Sequence, residues 1–176
     1  NRTLVDADYV AARKFISQMA SQDASDNPAL EAALREGALN GLIERELLAQ
    51  EAERLGFRVT DDMVNEQFRA CRFFVSVGTA QEAILSRATS RRMSGAWDLP
   101  RTFCGTATEF QYPQFERTVR RFFGRTVADL RESMKREMLA DRMRQMARAS
   151  VTLSDEEMWH EYQRTHDQIA VKYLRF

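Results

Sequence analysis

Residues 38–62, ALNGLIERELLAQEAERLGFRVTDD, set the organisation of this chain, because they hold one amphipathic helix, its stop signal and the start of the next helix. Leu39, Ile43 and Leu47 recur every four residues, and Leu48, Ala52 and Leu55 carry the stripe around the cylinder. Glu44, Arg45, Glu51, Glu53 and Arg54 fall on the other side, the arrangement of a helix with one buried face. On this reading Leu39, Ile43, Leu47 and Leu55 are scaffold, and Leu47→Asp unfolds the domain by burying an unpaired charge. Gly56 stands where a left-handed residue ends a helix, with Phe57 placed to fold back on the last turn. Thr60 reads as the next N-cap, with Asp61 and Asp62 in the positive first turn.

The 176-residue chain is long enough for one domain with a real core, or for a helical domain with an appendage. An apolar fraction of 44%, a charged fraction of 30%, and only three Pro and seven Gly describe a helix-rich protein. Lys plus Arg equals Asp plus Glu, so the net charge of zero gives no global electrostatic case for nucleic acid or an anionic membrane. No apolar run approaches membrane-spanning length and no signal-peptide core is present. The chain starts at Asn1 and ends on an apolar stretch at Phe176, which reads as a fragment of a longer protein.

Outward from the central stretch, Asp6 caps a helix to about Gln22, with Tyr9, Val10, Phe15 and Ile16 as its buried positions. Residues 1–5 read as a short extended piece and residues 21–28 (SQDASDNP) as a polar loop. Ala29–Glu36 restarts as helix, with Gly37 either breaking it or bending it. The helix after Thr60 carries Met63, Val64, Phe68 and, at its far end, Phe74. Residues 75–112 contain four of the chain's glycines and prolines up to Gly105 and no sustained apolar period; Ala80–Arg87 makes a short helix and the rest an insertion, packed on its own cluster. Pro113 opens a helix to Phe123 that Gly124 stops. Thr126 with Asp129 caps a long helix to Ala149, striped by Val127, Leu130, Met134, Met138, Leu139, Met143 and Met146. After an extended connector at 151–153, Ser154 and Glu157 form a capping box for a helix bearing Met158, Trp159 and Tyr162. Residues 169–176, IAVKYLRF, alternate as a strand that needs a pairing partner elsewhere.

The chemistry-bearing residues do not assemble into a catalytic signature. His160 and His166 lack the spacing of a zinc protease pair, and no nucleophile elbow, P-loop or dinucleotide fingerprint occurs. Cys71 and Cys104 do not make a metal set with the histidines, so no metal and no cofactor is expected. Cys71 stands beside Arg72 without a His or Asn partner, which favours a buried thiol or a disulfide to Cys104 over a nucleophile. The Arg and Phe interleaving at 117–125 reads as a solvated helix face with its aromatics turned inward. Methionines 134, 138, 143 and 146 admit two readings that are compatible: core of the long helix, or a flexible apolar groove open on one side.

Two segments carry a family resemblance. LNGLIERELLAQEAERLGFRVTDDMVNEQF, residues 39–68, resembles the N-terminal chaperone region of SurA/PpiD-type periplasmic foldases. FERTVRRFFGRTVADLRESMKREMLADRMRQMARASVTLSDEEMWHEYQ, residues 115–163, is similar to that family's second half. The likeness rests on order and spacing and leaves out about 75–111. It implies a mainly α, multi-helix chaperone lobe over 1–168 with an insertion at 75–111, a short C-terminal strand and a possible short N-terminal one. Residues 169–176 would lead into a parvulin-type peptidyl-prolyl isomerase domain beyond this chain. The implied function is ATP-independent binding of unfolded or outer-membrane-protein clients in the periplasm or cell envelope, with membrane anchoring through a segment before Asn1 also compatible. Trp97, Phe103 and Phe110 of the insertion and Met134, Met138 and Met143 of the long helix are then the expected client-binding residues. Two rival readings stay open: a non-catalytic positioning domain of a prolyl isomerase, and a self-associating module that dimerises through the C-terminal strand or by helix exchange.

Overall fold

The computed structural model describes residues 6–19, 28–89, 92–106, 108–150 and 154–166. It is mainly α, as the sequence leads one to expect. Helices α1 (Asp6–Met19), α2 (Pro28–Arg54) and α3 (Asp61–Arg69) are followed by strand β1 (Arg72–Val75), helix α4 (Thr79–Thr89) and strand β2 (Gly95–Asp98). A 3-10 turn (Arg101–Phe103) leads to α5 (Tyr112–Phe123), α6 (Val127–Ala149) and α7 (Asp155–His166). The chain divides into two compact units, Asn1–Arg144 and Gln145–Phe176. The expected N-terminal piece, the connector at 151–153 and the strand at 169–176 lie outside the described residues.

The punctuation around α2 follows the residues that encode it. Pro28 occupies the first helical position, where its missing N–H removes nothing from the hydrogen-bond ladder. Gly37 and Gly41 neither break nor end the helix. Gly56 takes φ 88, Phe57 donates its N–H to Ala52 O at 2.9 Å, and the Phe57 ring packs with Ala49, Ala52, Leu139 and Met143. Thr60 then caps α3, accepting from the Met63 N–H at 3.3 Å.

The buried face of α2 is not the leucine stripe. Ala33, Leu34, Gly37, Ala38, Gly41, Leu42, Arg45, Glu46, Ala49 and Ala52 point inward, whereas Leu39, Ile43, Leu47 and Leu55 are 43–62% exposed. The cause is the close approach of the segment between β1 and α4. A Cβ on Gly41 would fall on the Ser76 carbonyl oxygen and 2.8 Å from Val77 Cα. Gly78 N–H donates to Gly37 O at 2.8 Å, a contact that needs backbone against backbone. A side chain at Gly37 or Gly41 would hold that segment away, so glycine stands at both contacts, and Leu34 and Leu42 are the leucines of the helix that pack inward.

That approach positions α4 along α2. Glu44 caps α4 from α2, taking the Thr79 N–H and hydroxyl, each at 2.9 Å, so a carboxylate sits at the positive helix end. Asn40 Nδ2 donates to Gln81 Oε1 at 3.2 Å. On the other flank α1 packs through Phe15 and Ile16, while Val10, expected inside, is 60% exposed.

The described residues of 72–111 are organised around a two-stranded sheet, where the periodicity predicts a short helix and an insertion. β1 and β2 pair antiparallel with Phe73 opposite Trp97 and Val75 opposite Gly95; Phe74, expected to end a helix, lies in β1. Phe73 and Val75 face inward, and Arg72 Nε reaches Asp98 Oδ1 at 2.7 Å. The Phe74 N–H donates to Met134 Sδ at 3.2 Å, so α6 covers an edge of the sheet. Past β2, Gly105 bridges Phe110, and Cys71 and Cys104 are joined by a disulfide with their Cα atoms 5.9 Å apart. Cys71 adopts φ 56, a conformation uncommon outside glycine. Leu99 N–H donates to its carbonyl at 3.0 Å, and the disulfide fixes its side chain.

The core joins these elements through aromatic rings. Phe15 of α1 stacks on Phe123 at 5.4 Å, Phe123 on Phe73 at 5.6 Å, and Phe115 meets Phe68 at 4.9 Å. The insertion therefore does not keep a separate cluster: Val75, Val77, Leu85, Met93 and Cys104 belong to the main core. Gly124, at φ 63, stops α5, and Thr126 Oγ1 accepts from the Asp129 N–H at 3.1 Å to start α6. In the second unit, Ser154 and Glu157 complete the capping box of α7 reciprocally, at 3.2 and 2.9 Å.

Candidate client-binding surfaces and the buried polar cluster

The six residues expected to bind clients separate into two groups. Met134, Met138 and Met143 are 3–8% exposed, the first two in the main core and the third against Ala49, Ala52 and Leu139. They form packed interior and not an open groove, because the stripe of α6 is used up against β1 and the small-residue face of α2. Trp97, Phe103 and Phe110 are half-buried. Trp97 donates its Nε1–H to Met93 O at 3.0 Å, and Phe110 sits 5.3 Å from the Phe115 ring.

Of the six, Phe103 lines an open surface groove. It meets Phe122 at 4.9 Å in a groove of about 350 Å³ shared with Thr102, Gln114, Arg117, Thr118 and Arg121. Arg117, Arg120 and Arg121 are solvated, as expected, and Arg117 and Arg121 give this aromatic floor a cationic rim, whereas Arg125, expected on the same face, is held inward against Asp8 with its side chain 10% exposed. A second apolar surface lies on α2, where the periodicity predicts buried scaffold. Leu39, Ile43 and Leu47 stand one turn apart on α2, 49%, 43% and 62% exposed, and form a continuous row. The period was legible; the direction it faces was not. In the second unit α7 exposes Met158, Trp159 and Tyr162, with the last two rings stacked at 5.6 Å.

A few charged side chains lie in the interior of the first unit, where the periodicity predicts none. Arg45, expected on the solvated side of α2, is 3% exposed and reaches Glu137 Oε1 at 3.5 Å. Glu137 Oε2 accepts from Ser76 Oγ at 2.6 Å, and Arg144 Nη2 donates to the same hydroxyl at 2.8 Å. Nearby, Arg125 bridges Asp8 at 2.5 Å and Ser133 at 2.7 Å. Burial pushes the Glu137 carboxyl above its ordinary range, against the opposing pull of Arg45, the Ser76 hydroxyl and Arg144. No group of three or more His, Cys, Asp or Glu placed to hold a metal occurs among the described residues.

A family model described as the SurA-like N-terminal domain matches residues 1–94. The chain belongs to that family. The match runs from α1 through the segment before β2 and so takes in the whole exposed row of the SurA-like domain's α2. Comparison with curated proteins and with solved structures returned no match. Membership makes this a chaperone-related domain of a family whose members are typically periplasmic. No helix among the described residues is long and apolar enough to cross a membrane.

Proposed function

We propose that this SurA-like domain is an ATP-independent holdase that binds extended apolar segments of unfolded polypeptides in the periplasm, outer-membrane-protein precursors among them. The observation that carries this is the row Leu39, Ile43 and Leu47, exposed within the family-matched region although the same helix buries alanine, glycine and charge. A broad apolar strip of this kind suits weak binding of many sequences better than a closed pocket does. The Phe103 and Phe122 groove, with Arg117 and Arg121 at its rim, supplies a second contact for aromatic residues near acidic ones. The Cys71–Cys104 disulfide supports an oxidising compartment.

The test is suppression of aggregation of a denatured client, with a photocrosslinker placed at residue 43 or 103. The triple variant Leu39→Ser, Ile43→Ser, Leu47→Ser should keep its helicity and lose most of its suppression, and crosslinks should form from both positions. Full suppression by the triple variant, or crosslinks from neither position, would overturn the assignment.

A further inference from the structure

The exposed side of α2 carries an order of charges that binding of unrelated clients does not require. Along one ridge of the helix, at every fourth position, stand Arg35, Leu39, Ile43, Leu47 and Glu51. The three apolar members are exposed. The side chains of Arg35 and Glu51 are also open to solvent, and they pair with neighbours on their own helix, Glu31 and Arg54.

This ridge is its own complement when reversed. Ile43 is the midpoint, Leu39 and Leu47 lie one step to either side, and the two ends carry opposite charges. Rows of residues four apart are the ridges that interlock when two helices cross at about −50°, the commonest packing of helix on helix. Two copies laid antiparallel in that crossing set Leu39 beside the partner's Leu47 and Arg35 beside the partner's Glu51, each contact made twice by symmetry. The helix-surface pairs need not break, because charge then alternates through Glu31, Arg35, the partner's Glu51 and the partner's Arg54. A parallel pair would instead set Arg35 on Arg35 and Glu51 on Glu51, like charges that repel. Glu36, Glu51 and Glu53 beside the row argue against an anionic lipid surface, which recruits helices flanked by Lys and Arg.

We infer that α2 is a self-association surface on which a second copy of this chain docks antiparallel, through the apolar row and an Arg35–Glu51 contact at each end. From Arg35 to Glu51 the ridge is about 24 Å long and its face about 10 Å wide. That is roughly 250 Å² per copy, against about 800 Å² per partner in a stable complex. The pair is therefore transient, and a client that takes the same row displaces the second copy. The inference stands on the ridge and not on the holdase reading: sedimentation without client tests the first, aggregation suppression the second.

The experiment is sedimentation velocity of the 176-residue chain from about 10 µM to about 1 mM, the range of a weak contact. The average mass should rise with concentration towards that of a dimer. Arg35→Glu and Glu51→Arg, each alone, put like charges at both ends and should weaken association by about tenfold or more. Mixed in equal amounts, the two variants should associate again, because every contact between positions 35 and 51 is then of opposite sign. A change in fold cannot produce that recovery. A chain that stays monomeric throughout, as when another segment of its own covers the row, would overturn the inference. So would association indifferent to either charge reversal, or no recovery on mixing.

Discussion

The two faces of α2 invert the usual division of a helix. Its inner face carries two glycines, four alanines, Arg45 and Glu46, and its outer face carries Leu39, Ile43 and Leu47. The inner face is built for distance: Gly37 and Gly41 let the backbone at Ser76–Gly78 come into contact with the helix, and that contact places β1 and α4. The outer face makes no such contact among the described residues, and its apolar side chains stand exposed. Where α2 meets the Ser76–Gly78 backbone, side-chain size decides which face is inside, while Leu34 and Leu42 pack inward beside that contact.

The comparison breaks most severely at Gly41. Gly41→Val places a side chain on the Ser76 carbonyl and Val77 Cα, neither of which is the flexible end of a side chain. Overpacking of this kind should cost about 3 kcal/mol or more, although the helix propensity of valine exceeds that of glycine. Urea unfolding by circular dichroism should show a large fall in midpoint; an unchanged midpoint would mean that the segment does not rest on α2. The disulfide that ties the far side of the same region comes next. With its cysteines 33 positions apart, Cys71→Ala with Cys104→Ala should cost roughly 3–4 kcal/mol by loop entropy. The double variant should unfold at the same denaturant concentration with and without reductant, whereas the parent should be reductant-sensitive.

The buried charge on the inner face is sharpened by pH. Glu137 has a raised pKa in the folded state, so it favours the fold in its protonated form, and that advantage is lost as pH rises through the folded value. Glu137→Gln mimics the protonated group. Its stability relative to the parent should therefore be lowest in acid and rise steadily towards neutral pH. Denaturant melts from pH 4 to pH 8 measure this, and a flat difference would show that Glu137 titrates as it does in the unfolded chain.

Much of this architecture was legible one helix at a time. Gly56, Thr60, Gly124, the Thr126–Asp129 pair and the Ser154–Glu157 box each mark a boundary by local backbone chemistry, and each boundary is found where those residues place it. What was not legible depends on tertiary partners. The strands RFFV and GAWD are four residues each, with a whole helix between them, and their pairing is backed by α6 through the Phe74 N–H on Met134 Sδ. Arg45 reads as a surface residue until Glu137, ninety-two positions away, is brought to it. Among the expected client-binding residues, the α6 methionines kept the periodicity of core, which a groove shares, and packing alone separates the two.

The smallest expected effect is also the most direct test of the account. Leu47 is 62% exposed, so Leu47→Asp meets solvent and should change stability by no more than about 0.5 kcal/mol. Circular dichroism of that variant should show a soluble protein with the parent's helicity and melting midpoint. An unfolded or aggregated Leu47→Asp would contradict the account, because it would put the leucine row back inside the molecule and the small-residue face out.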